Sequence, residues 1–201
     1  MHINDLLTQH RAVIRASVDV VAQVRVEDLD RPTPCVEWTL AELLAHMTAQ
    51  HRGFAAAARG TGGDLAAWEV RPLGSSPVAC YTDAAVDLLA AFASPAPEFV
   101  LPELQPVTHF PAAQAIGFHL IDYVVHSWDV ARSLGLDYHL PPDVAGLALR
   151  IALLVPDGDN RLAPDSPFAP ALAAADDTDP LDRILAALGR SPEWAMVEQD
   201  R

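Results

Sequence analysis

Three residues have the types and spacing to hold a metal ion. Asp122 and His126 lie four apart in Phe118-His119-Leu120-Ile121-Asp122-Tyr123-Val124-Val125-His126-Ser127-Trp128-Asp129. On a helix, side chains four apart stand one above the other, about 5–6 Å between Cβ atoms. Phe118, Leu120, Ile121, Val124 and Val125 around them read as core. A carboxylate and an imidazole in such a setting need a partner, and two are open to them: a shared ion, or a hydrogen bond between the pair. His46, between Leu43 and Met47, is the candidate third donor. It is either a satisfied core histidine or the ligand that completes a three-residue set with an open coordination position.

The other polar residues nearby carry alternatives. His119 is one turn before Asp122 and is a substitute ligand or a support to one. Asp129, three residues after His126, either orients that imidazole or is a surface carboxylate. His51 is about 140° further round its helix than His46 and cannot share the ion. His10 interrupts an apolar stripe and can reach the core; His2, His109 and His139 lie at ends or in loops. Cys35 follows Thr33-Pro34, with nothing beside it in sequence to lower its pKa, and reads as structural. No glycine-rich phosphate loop, GxSxG or HExxH motif is present.

These residues need helices to position them. Residues 2–24 carry an apolar stripe that Pro32 and Pro34 follow and break. Thr39 and Glu42 form a capping-box pattern ahead of Leu40, Leu43, Leu44, Met47 and Phe54, with Gly60 onward ending that helix. Residues 61–79 read as a loop, and Thr82 or Asp83 caps a third helix through Phe92. Residues 98–110 read as extended, with Phe99-Val100-Leu101 a short strand. Pro111 opens the long helix that bears Asp122 and His126, and Gly135 closes it. Pro141-Pro142-Asp143 opens a fifth helix that ends near Leu154. A last one has Asp179 as cap, Pro180 in its first turn and Gly189 at its end. The pattern predicts an all-α bundle over residues 1–155, with residues 156–201 an extension packed on it and not an independent domain.

Composition narrows the partners. The net charge of -14 opposes nucleic acid and anionic membrane surfaces, and no apolar run reaches the roughly 20 residues of a membrane span. Two cysteines, no CxxC and no export signal at the N-terminus predict a cytoplasmic setting. Faces rich in Ala and Leu are compatible with a homodimer.

The chain resembles the DinB/YfiT superfamily, and within it the branch related to mycothiol-dependent maleylpyruvate isomerase. The resemblance rests on Thr33-Pro34-Cys35-Val36-Glu37-Trp38-Thr39 leading into Leu43-Leu44-Ala45-His46, on Asp122 to Arg132, and on Asp182 to Pro192. It implies a four-helix bundle with an extra helix, holding a divalent metal, usually zinc, on His46, Asp122 and His126. It also implies a low-molecular-weight thiol such as mycothiol as cofactor in a transferase or isomerase. Arg52 and Phe54 match a recurrent Arg-x-Phe of the branch, which makes Arg52 a candidate cofactor contact. Two departures stand out: the isomerase has Glu where this chain has Asp122, and a separate C-terminal domain that the residues after the fifth helix leave no room for. The expectation is a thiol-dependent metalloenzyme acting on a small electrophile. The alternatives are a metal-dependent hydrolase or lyase activating water, and a non-catalytic binding protein.

Overall fold

The computed structural model describes residues 2–195, apart from Val36, Glu37, Pro164, Asp165, Pro167, Asp176 and the side chain of Asn160. Val36 and Glu37 of the Thr33–Thr39 motif therefore lie outside the described residues.

Among the described residues six α-helices make up the frame: α1 (Ile3–Val21), α2 (Leu40–Ala58), α3 (Pro77–Ala91), α4 (Ala112–Leu134), α5 (Pro142–Ala152) and α6 (Pro180–Ala187). Short 3₁₀ turns occupy Val26–Asp28, Leu65–Trp68 and Asp159–Leu162. In the bundle α1 packs along α4 and α2 along α3, with α2 also against α4 and α1 against α3; α5 lies on α4, and α6 on α5. Among the described residues no helix is long and apolar enough to cross a membrane.

Local chemistry explains the helix ends that matter for the site. Thr39 accepts from the Glu42 amide at 3.3 Å, while the Glu42 carboxylate accepts from the Thr39 amide at 2.8 Å. This reciprocal cap fixes where α2 begins and so the height of His46 along it. Gly135, at φ 71°, ends α4 in the left-handed conformation that a glycine adopts without strain. Asp179 caps α6 by accepting from the Leu181 amide at 2.9 Å.

Helix α3 starts earlier than Thr82 or Asp83. Pro77 occupies its first turn, where a missing N–H breaks no bond, so the end of the segment 61–79 read as a loop is already helix. Thr82 sits one turn inside and donates back to the Val78 carbonyl at 2.8 Å. The extended segment is a hairpin, β1 (Glu98–Val100) paired antiparallel with β2 (His109–Pro111), so its strand lies one residue earlier than Phe99–Leu101.

Helix α4 is the hub. Nearly every residue from Ala115 to Ala131 is buried, because neighbours cover it on several sides. The chain after α5 adds to that cover. Arg161 donates to the carbonyls of Pro156, Ala169 and Ala187, at 2.8, 3.1 and 2.7 Å, which gathers the segment onto α6. Arg132 of α4 donates to the Trp194 carbonyl and ties down the segment that follows.

Candidate metal centre

His46 from the middle of α2 and Asp122 and His126 from α4 converge. One ligand atom from each lies within 4.8 Å of the others. The separation of His126 Nε2 from Asp122 Oδ1 is 3.3 Å. That is long for a charge-assisted hydrogen bond, which closes to about 2.7–2.9 Å. It matches the edge of a ligand tetrahedron, which for bonds of about 2.1 Å is about 3.4 Å. Of the two partners open to the pair, the geometry favours a shared ion, and two imidazoles with one carboxylate fit it.

The electrostatics fit as well. Burial pushes His46 down to about 4, with the positive His126 ring adding to the effect, so its lone pair is free at neutral pH. Burial also disfavours a charged His126, but Asp122 and Asp129 on its two sides outweigh that and lift it to about 9. Burial opposes ionisation of Asp122, yet His126, His46 and Arg190 together hold its carboxyl below the ordinary range. A proton on His126 Nε2 would face the Asp122 carboxylate, and an ion held by these residues would take its place.

Asp129 is fully buried and no surface carboxylate. Its Oδ2 accepts from His126 Nδ1 at 2.9 Å, which fixes the proton on Nδ1 and turns Nε2 toward His46 and Asp122. Arg190 then holds Asp129, with Nη2 3.4 Å from the same oxygen and 3.5 Å from Cys35 Sγ. Gly189, at φ 75°, makes this possible: a Cβ there would lie 2.5 Å from the Ala169 carbonyl oxygen, so only glycine lets the chain turn Arg190 inward.

Cys35, His126 and Asp129 form a second compact group of donor atoms. It is the weaker metal site. Burial pushes the Cys35 thiol up to about 11, against the pull of Arg190, and His126 Nδ1 and Asp129 already bind each other. Cys35 is more than packing, because it meets the cation that steadies Asp129. Its side of the network was missed in sequence because Arg190 lies 155 residues away. The one available signal was that both fall in motifs shared with the family, Thr33–Thr39 and Asp182–Pro192.

Two expected site residues are elsewhere. His119 is not in the cluster: its Nδ1 meets His10 Nε2 at 2.9 Å and its Nε2 meets His51 Nδ1 at 3.4 Å, so neither nitrogen is left for an ion or for Asp122. Arg52 is exposed, about 120° round α2 from His46, and does not line the cavity beside that residue. The structure brings it to neither the cluster nor the space in front of it.

A helical bundle whose interior gathers two histidines and an aspartate from facing helices defines a DinB/YfiT-like metal-binding domain. Residues 10–131 match the mycothiol maleylpyruvate isomerase N-terminal domain family, and the chain belongs to it. An uncharacterized protein of Mycobacterium tuberculosis, found in strains CDC 1551 and H37Rv, is 29% identical over 194 residues, covering 93% of this chain and 98% of its own. Among solved structures, the mycothiol-dependent maleylpyruvate isomerase superposes with a TM-score of 0.64 at 14% identity, over 96% of this chain and 91% of that one. A histidine-to-alanine mutant of that enzyme gives 0.63 at 12%, over 93% and 89%. The superposition runs through nearly all of both chains.

Proposed function

We propose that this chain is a thiol-dependent metalloenzyme, a transferase or isomerase, with zinc on His46, Asp122 and His126 and mycothiol or a similar small thiol as cofactor. The observation that carries the reading is the convergence of those three donors inside the bundle, with Asp122 and His126 at ligand-edge spacing. Family membership and the name of the superposing isomerase support the choice of thiol. A divalent ion held there supplies Lewis acidity that lowers the pKa of a coordinated thiol and keeps it as the nucleophilic thiolate.

The chain's own residues do the positioning. Asp122 supplies the negative charge that offsets a dication. Asp129 keeps the His126 proton on Nδ1, so the nitrogen facing the centre stays a donor. Trp38 lies with its ring centroid 4.6 Å from that of His46 and 6.3 Å from that of His126, and its indole limits water at the cluster.

The test is transfer of mycothiol to a neutral electrophile by the zinc-loaded protein, followed as thiol consumption. The wild type turns over only with the thiol present, and His46→Ala loses the activity. Turnover that is indifferent to mycothiol would point to water as the nucleophile, and thiol transfer undiminished in His46→Ala would remove the metal from the reaction.

A further inference from the structure

A cavity of about 610 Å³ opens beside the cluster, and His46 is one of its walls. Volumes of this order hold a drug-sized molecule. Trp38, Ala41 and Ala45 line it from the α2 side, and Val70, Pro72 and Leu73 close it from the loop before α3. Trp68 anchors the start of that loop. It packs so closely on Gly53 that a Cβ there would lie 2.2 Å from its ring, and it donates from Nε1 to the Gly62 carbonyl at 2.8 Å.

Among the described residues no lysine or arginine lines this space, and Asp122 would offset the charge of an ion held at His46. Its single charged wall among the described residues is Glu42, exposed and already engaged with Thr39 at the start of α2. The arginines that come nearest in the chain or touch the cluster are paired: Arg71 with Glu69 at 2.5 Å, Arg31 with Asp28 at 2.8 Å and Arg190 with Asp129 at 3.4 Å. Burying a carboxylate without a partner is costly, and a dicarboxylate next to Glu42 would also be repelled. The walls instead fit carbon. With a chain charge of -14, long-range attraction of an anion gives no help.

We infer that the cavity beside His46 admits an uncharged apolar small molecule, aryl or branched alkyl, and excludes dicarboxylates such as the keto acid for which the superposing isomerase is named. This rests on the reading of His46 as part of the metal centre, and it specifies the electrophile that centre acts on.

A matched pair of fluorescent probes tests it on the zinc-loaded full-length protein: neutral N-phenylnaphthylamine and its anionic sulfonate, anilinonaphthalene sulfonate. The neutral probe binds about tenfold or more tightly than the sulfonate, and millimolar maleate does not displace it. Ala41→Trp, which fills the cavity, weakens the neutral probe about tenfold. Val70→Trp does the same from the exposed opposite wall should Ala41→Trp not fold. Glu42→Gln, which keeps a capping acceptor, narrows the gap between the probes. Equal or tighter binding of the sulfonate, displacement by maleate, or unchanged binding in a folded cavity-filling variant would overturn the inference. Zinc content measured on the same samples keeps the two readings apart. Zinc-free protein that still prefers the neutral probe loses the metal assignment alone, and zinc-replete protein that prefers the anion loses this one alone.

Discussion

Asp129 and Arg190 show how much of the proposed metal site lies behind its ligands. Asp129 is not one of the three proposed ligands, yet it sets which nitrogen of His126 faces the centre, and Arg190 holds Asp129 in place. Removing such supports lowers metal affinity about 10–100-fold in comparable sites. Asp129→Asn and Arg190→Gln should each weaken zinc binding by a factor in that range, read by competition with a chromophoric chelator. His46→Ala should weaken it further. Unchanged zinc affinity in folded Asp129→Asn and Arg190→Gln would mean that His126 is oriented by packing alone. At this scale the sequence was legible in part. The four-residue spacing of Asp122 and His126 is a local property of one helix and could be read directly. Whether Asp129 faces solvent could not, because the side chain that buries it comes 61 residues later from a turn that depends on Gly189.

Three elements share a second polar set, and it bears on stability more than on chemistry. His10 of α1, His119 of α4 and His51 of α2 form a buried chain, stacked on Tyr123, whose hydroxyl donates to the Met47 carbonyl. Burial lowers all three rings, His10 to about 3 with some help from the Arg11 charge, and His51 and His119 well below 6.5. The folded values are depressed, so above pH 6.5 both states are neutral and the histidines cause no loss. Below it the unfolded chain takes up protons that the folded core refuses. Stability then falls with each further pH unit, and for His10 the loss continues down to near pH 3. Chemical denaturation between pH 7.5 and 4.5 should show a stability falling steeply with acid, and His10→Gln should flatten that slope. A slope unchanged by the substitution would show that His10 is not refused its proton in the folded state. The helices themselves were readable where a local device marks them, as Thr39 and Glu42 mark α2 and Asp179 marks α6. Helix α3 was misread at its start because proline serves both to end helices and to begin them, and only the neighbours of Pro77 decide between the two roles. His10 reaching the core was legible from its place in an apolar stripe; its joining His119 was not, since that depends on how α1 crosses α4.

At the scale of the whole molecule, the bundle serves to bring one residue of α2 opposite two of α4 and to leave an apolar space beside them. Family membership and the spacing of the three donors both bear on one claim, that this interior holds a single divalent ion. Elemental analysis of untagged protein, exchanged against zinc and then freed of loose metal, tests it most directly. The account predicts close to one zinc per chain in the wild type, with the ratio falling well below that in His46→Ala and in Asp122→Ala under the same treatment. A folded wild-type protein that retains far less than one zinc per chain, or one whose zinc survives both substitutions, would contradict it.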